Sequence, residues 1–205
     1  MARKRVAVLI SGRGSNMAAL IDAARAPAYP AEIVLVISNK AGAGGIDTAA
    51  AAGIPTATVA SKGMPRDAFE AALNARLVEA GVEIVCLAGF MKLLSPAFVA
   101  AWRDRLINIH PSLLPSFPGL DTHARAIAAG VAEHGCTVHF VRAEMDSGPV
   151  VAQATVPVLA GDTPDGLAAR VLAAEHRLYP AALALVASGR ARVVNEQVLI
   201  DGVPA

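Results

Sequence analysis

Short, wholly apolar runs alternate with longer stretches of mixed apolar and polar positions along this chain. The runs at 6–11, 33–38, 56–59, 84–88, 106–110, 137–141 and 150–158 predict strands. The stretches between them, at 15–26, 46–52, 66–80, 95–103, 122–129 and 163–187, predict helices. Ser95-Pro96 and Thr163-Pro164 each put a capping hydroxyl before a proline at the first helical position. Strand–helix alternation over the first half predicts right-handed βαβ units and a parallel sheet. The last two long runs flank a turn at 144–148, which predicts an antiparallel pair added to that sheet. A hairpin at 191–195 and 197–201 closes the chain. No repeat, low-complexity tract or long linker intervenes. The expected architecture is therefore α/β, with a mostly parallel central sheet, helices on both faces and a C-terminal antiparallel extension.

Composition narrows the function classes. At 205 residues the chain can bury a substantial core and matches one large domain or two small ones, by the prior of roughly 100–200 residues per domain. Hydrophobic residues make up 55%, but no apolar run approaches the roughly 18 residues that a spanning helix needs. The basic start is followed by an apolar run at 6–10 that falls short of the roughly 7–15 residues of a signal-peptide core. It reads as a first buried strand, and the protein as cytoplasmic. A net charge of +1 with no basic cluster beyond residues 3–5 gives no sign of a nucleic-acid partner. The two cysteines, Cys86 and Cys136, sit in no metal-like spacing, and Cys86, inside an apolar run, reads as a buried thiol.

The candidate chemistry centres on Leu106-Ile-Asn-Ile-His-Pro-Ser-Leu-Leu-Pro115. Strand alternation puts Asn108 and His110 on one face, at a strand end made rigid by the prolines. An amide donor beside an imidazole suits a reaction that builds an oxyanion and moves protons. Ser11-Gly-Arg-Gly-Ser-Asn16 follows the first strand and opens a helix, which suits an anion held by backbone N–H groups. Ser15 is expected both to cap that helix and to donate to a phosphate oxygen. The loop is neither the dinucleotide pattern, since Met17 stands where its third glycine belongs, nor a Walker loop. Asp146, in a turn-rich loop, is either a local turn residue or a partner that orients His110 and stabilises its cation. His134 reads as part of a helix C-terminal turn, and His123 and His176 as surface or packing residues. His139 reads as either a pocket or a core residue, and Glu175 as a solvated helix charge.

Three stretches together resemble one family. They are the 11–16 loop, Ala88-Gly-Phe-Met-Lys-Leu-Leu-Ser-Pro96 with Asn108–Pro115, and Asp146-Ser-Gly-Pro149. The chain is similar to the folate-dependent phosphoribosylglycinamide formyltransferases over essentially its whole length. The resemblance implies a Rossmann-like formyltransferase fold as a single domain, 1–205. Residues of about 1–100 would form a phosphate-binding half, and about 101–205 a catalytic and folate-binding half. It implies 10-formyltetrahydrofolate as cosubstrate, glycinamide ribonucleotide as acceptor, no metal, and a monomer or homodimer. Asn108, His110 and Asp146 fall on the catalytic trio. Gly14, Ser15, Asn16 and Glu175 fall on the substrate site. Arg66, Met91, Lys92, Leu93, Leu94, Arg142, Ala143 and Glu144, with Asn108, fall on the folate site. Arg13 and Asp121 depart from the pattern at the glycine loop and at a loop where a relative has His. In the implied reaction the amine attacks the formyl carbon directly, and Asn108 and protonated His110 stabilise the oxyanion. Ser112 lacks a nucleophile elbow, which argues against a covalent route. The rivals are formyltetrahydrofolate deformylase, methionyl-tRNA formyltransferase with its further tRNA-binding domain, and a noncatalytic folate- or nucleotide-binding module.

Overall fold

Strand β1 (Lys4–Ile10) lies at the centre of the sheet, so its apolar run must serve two cores. Val6, Val8 and Ile10 enter one core, and Ala7 and Leu9 enter the other. All five are fully buried, which is why the run is continuous rather than alternating. β4 (Ile84–Leu87) divides its residues in the same way, with Ile84 and Cys86 on one side and Val85 and Leu87 on the other. The computed structural model describes residues 2–205.

The remaining strands of the main sheet are β2 (Ala31–Ser38), β3 (Thr56–Thr58), β5 (Leu106–His110), β6 (Glu133–Phe140) and β7 (Val150–Pro157). The seven-stranded order is β3-β2-β1-β4-β5-β6-β7. The pairs from β3 through β5 are parallel, and β6 and β7 each pair antiparallel to their predecessor. This is the expected parallel sheet with an antiparallel pair. β8 (Ala191–Val194), β9 (Gln197–Ile200) and β10 (Val203–Pro204) form a separate antiparallel sheet. Its short third strand goes beyond the expected hairpin.

The helices are α1 (Ser15–Ala24), α2 (Gly44–Ala51), α3 (Arg66–Glu79), α4 (Pro96–Ala101), α5 (Thr122–Ala128) and α6 (Pro164–Ala187). α3 and α4 cover one face through Phe69, Leu73, Leu77, Phe98 and Val99. α1 and α6 cover the other through Met17, Leu20, Tyr179 and Leu183. The Ser95 and Thr163 hydroxyls accept from Phe98 N and Gly166 N, as those caps require. The buried Tyr179 hydroxyl donates to the Leu87 and Ile107 carbonyls, 3.0 and 3.2 Å away. α6 is thereby pinned beneath the ends of β4 and β5, where the candidate chemistry sits.

Two local expectations are corrected. β6 begins at Glu133, not at 137, so His134 is a buried strand residue rather than part of a helix turn. Glu133, His134 and Gly135 hide the strand in the sequence because pairing with β7, not propensity, makes them extended. Ser15 is not the cap of α1. Gly14 occupies that place in the left-handed region, φ 71°, and no side chain caps the first turn.

Candidate active site

The first turn of α1 follows directly from Gly14. A residue with a side chain is strained at that φ, so glycine is what lets the chain swing from β1 into the helix. No side chain caps the first turn, which leaves its N–H groups without a side-chain acceptor, as an anion site at a helix start needs. The loop also presses against α2. Gly45 N donates to the Gly12 carbonyl at 3.0 Å, and a Cβ on Gly45 would lie 3.0 and 3.1 Å from the Gly12 and Arg13 carbonyl oxygens. Arg13 and Ser15 are exposed, whereas Asn16 is buried.

Asn16 connects this loop to α6. Its amide nitrogen donates to Glu175 Oε2 at 2.7 Å, and its Oδ1 is buried with no partner in the structure. Glu175 is buried, not a solvated charge. Burial raises its pKa, opposed by the bond from Asn16. A carboxylate and an unsatisfied amide oxygen, buried side by side, are two acceptors suited to ligand hydroxyl or N–H groups.

The second cluster stands at the end of β5. His110 Nδ1 lies 3.5 Å from Asp146 Oδ2, and both side chains are nearly buried. The same carboxylate oxygen accepts from Gly119 N at 2.9 Å. His110 Nε2 lies 3.1 Å from the Phe117 carbonyl, which can only accept, so the Nε2 proton sits on that bond. The lone pair or second proton of the ring therefore resides at Nδ1, toward Asp146. Asp146 takes a left-handed φ of 54°, a strain that marks sites where position matters more than local comfort.

His139 joins this cluster. In the β5–β6 register it sits directly opposite Asn108, and its Nε2 is 3.2 Å from Asn108 Nδ2. Its Nδ1 donates to the Phe140 carbonyl at 3.1 Å, so Nε2 accepts one proton of the Asn108 amide. Burial lowers the His139 pKa and keeps the ring neutral, despite Asp146 Oδ1 at 3.9 Å. One N–H of Asn108 is thus fixed, and the other is left to donate elsewhere. Sequence reading left His139 between pocket and core. The missing signal was the register, since antiparallel pairing of the two strands puts Asn108 and His139 on one face.

The predicted folate residues line two further segments. Met91 and Leu93 are largely exposed, as is Met145, and apolar side chains left in water on loops suit an apolar ligand. Met91 N donates to Ser11 Oγ at 2.8 Å, and Ser11 Oγ lies 2.5 Å from Asn39 Oδ1. These bonds tie the 91–94 segment to the start of the glycine loop. Lys92 lies over the Phe69 ring at 5.0 Å, Leu94 packs against the α3–α4 core, and Arg66 opens α3 as an exposed residue. Ala143 and Glu144 are exposed, and the Arg142 guanidinium is engaged by Asp104 and Glu196. Ser112 is buried and donates to the Ser116 carbonyl at 2.6 Å, away from any nucleophile geometry.

Comparison with known proteins gives this arrangement a family. The profile described as Formyl transferase matches residues 4–183. The phosphoribosylglycinamide formyltransferase of Escherichia coli (strain K12) is 46% identical over 96% of this chain and 93% of its own length. The chain belongs to the phosphoribosylglycinamide formyltransferase family. The glycinamide ribonucleotide transformylase 1 of Symbiobacterium toebii shares the fold at a TM-score of 0.93, with 46% identity over 97% of this chain and 94% of that one. The trifunctional purine biosynthetic protein adenosine-3 of Drosophila pseudoobscura pseudoobscura is 55% identical over 95% of this chain, which spans 14% of that longer protein. A formyltetrahydrofolate deformylase from Pseudomonas syringae pv. tomato is a more distant likeness, with a TM-score of 0.90 but 25% identity, and this chain covers 66% of it. The family implies a folate-type formyl donor. No helix among the described residues is long and apolar enough to cross a membrane.

Proposed function

We propose that this protein transfers the formyl group of 10-formyltetrahydrofolate to the primary amine of 5'-phosphoribosylglycinamide. The products are formylglycinamide ribonucleotide and tetrahydrofolate, and the setting is cytoplasmic de novo purine biosynthesis. The observation that carries this reading is the meeting of Asn108, His110 and Asp146 at one strand end. It is supported by 46% identity to a phosphoribosylglycinamide formyltransferase over 96% of this chain.

In this reading residues 1–205 act as one formyltransferase domain, as a monomer or homodimer. The Gly14–Asn16 amides bind the phosphate, and the Asn16–Glu175 pair binds the ribose and glycinamide part. Arg66, Met91–Leu94 and Arg142–Glu144 form the folate side. The amine attacks the formyl carbon, a C–N bond forms, and negative charge collects on the formyl oxygen. The free N–H of Asn108 donates to that oxygen, and protonated His110 supplies the compensating positive charge, held by Asp146. Each such donor is worth roughly 2.7–4 kcal/mol of barrier. When the intermediate collapses, the bond from the formyl carbon to N10 breaks. The proton shed by the attacking amine reaches N10 through the His110–Asp146 pair and water.

The test is an initial-rate assay with both substrates. The expected result is formyl loss from the folate matched by formylation of the glycinamide amine, with each substrate required. Formylfolate loss without glycinamide ribonucleotide supports a deformylase instead. Binding of both compounds without turnover supports the noncatalytic module.

A further inference from the structure

The Arg142 side chain joins two distant turns of the chain. Its Nη2 lies 2.7 Å from Asp104 Oδ1, in the turn between α4 and β5. Its Nε lies 2.6 Å from Glu196 Oε2, in the turn between β8 and β9. Nη1 donates to the Val141 carbonyl at 3.1 Å. Arg103 pairs with the other oxygen of Glu196, which closes a chain of four charges. Arg142 is only 12% exposed in its side chain, although its partners lie at the surface.

The backbone at both acceptors is unusual. Asp104 has φ 57°, and the hairpin residues Asn195 and Glu196 have φ 50° and 60°. Glycine is the ordinary occupant of such positions. Here two of them carry carboxylates, and both carboxylates meet one guanidinium. Positive φ at both central residues is what a two-residue hairpin turn requires, so at Glu196 the ion contacts add to the turn geometry rather than replace it.

Arg142 opens the 142–148 segment that carries Asp146. The segment is closed at its base by Val141 N donating to the Leu106 carbonyl and Phe140 N to the Pro149 carbonyl, each at 2.9 Å. We propose that Arg142 is a positioning residue for the formyl donor. By joining the base of the 142–148 loop to Asp104 and to the C-terminal hairpin through Glu196, it keeps the loop aligned with His110. Its guanidinium serves the fold of the loop, and the loop backbone is what remains for the ligand. This rests on the formyl-transfer reading above.

The test measures KM for each substrate, kcat and melting temperature for the full chain and for Arg142→Met, Arg142→Lys, Asp104→Gly and Glu196→Gly. The expected result for Arg142→Met is a rise of about tenfold in KM for 10-formyltetrahydrofolate, with KM for glycinamide ribonucleotide within about twofold. Arg142→Lys recovers part of the loss, because an ammonium reaches one carboxylate but cannot hold both. The two glycine variants separate positioning from simple stability. Each relieves a strained turn, so its melting temperature holds or rises while KM for the donor still increases. An unchanged donor KM in Arg142→Met overturns the proposal. So does a glycine variant whose donor KM stays at the wild-type value. Wild-type protein that transfers no formyl group defeats the functional reading itself, and transfer-competent wild type with an unaffected Arg142→Met defeats the clamp alone.

Discussion

The glycine loop after β1 and the strand end of β5 both lie at carboxyl ends of sheet strands, where α/β folds place their ligands. They are built by different means. The glycine loop is nearly local, with one left-handed glycine, an uncapped helix start and a close contact with the start of α2. Among the described residues its distant side-chain partners are Asn39, at Ser11, and Glu175, at Asn16. The proposed catalytic cluster draws His110 and Asn108 from β5, His139 from β6, Asp146 from the following loop, and backbone groups of Phe117 and Gly119 from a third segment. One region offers backbone donors in a fixed curve, and the other offers titratable side chains whose protons are allotted by neighbours. In the proposed function this difference becomes a division of labour, with holding at the first region and proton traffic at the second.

The sharpest way to break that division is Asp146→Asn. A neutral amide in place of the carboxylate removes the charge that faces His110 Nδ1 in the proposed mechanism. Turnover should drop on the order of 10²–10⁴-fold, the share typical of acid–base groups, with the melting temperature little changed. Near-normal turnover in the initial-rate assay would take Asp146 out of the mechanism.

Next in size is Gly45→Ala, which acts on the holding region alone. Its Cβ meets the Ile10 side chain at 2.5 Å and then two loop carbonyls, so the glycine loop must shift by tenths of an ångström. KM for the phosphorylated substrate should rise about tenfold, which is about 1.4 kcal/mol, with kcat nearly unchanged. A drop in kcat at constant KM would show that the loop governs the chemistry as well.

The smallest effects are in pH dependence, and Glu175 of the first region and the buried histidines, His139 of the second among them, contribute with opposite signs. Burial raises the Glu175 pKa above 4.5, so the folded state holds its proton more tightly than the unfolded state. Its stabilising share is present below that value and is lost as pH rises through the raised one. Glu175→Gln should therefore melt higher at neutral pH, by about 2–4 °C per 1 kcal/mol gained, while binding glycinamide ribonucleotide more weakly. Burial lowers the pKa of His123, His134 and His139 below 6.5. Unfolding then takes up protons, so their share is full above 6.5 and is lost as pH falls through the lowered values. Thermal melts of wild type and Glu175→Gln across pH should show both slopes, and the substitution should remove only the loss of stability with rising pH.

The two regions also differed in how far they could be read from residues alone. Period-two spacing put Asn108 and His110 on one face, and continuous apolar runs marked β1 and β4 because those strands are buried on both sides. The Ser95 and Thr163 caps are local chemistry and appeared where expected. The Ser15 cap failed because a backbone torsion at Gly14, not a side chain, starts α1. Glu175 looked solvated because its partner, Asn16, is 159 positions away. His139 was ambiguous until the β5–β6 register was known. The Phe117 carbonyl and the Gly119 amide carry no residue-type signal, yet they fix the His110 proton and the Asp146 carboxylate. Arg142 was assigned to folate by resemblance, and its long-range ion pairs at Asp104 and Glu196 emerge only in three dimensions.

The central claim is that holding and proton traffic reside in separate regions, and calorimetric titration of Asp146→Asn protein tests it most directly. Glycinamide ribonucleotide should bind with a Kd within about threefold of wild type, less than 1 kcal/mol, even though turnover has collapsed. A large loss of that affinity would contradict the account, because it would place Asp146 in the binding of the phosphorylated substrate rather than in the transfer step.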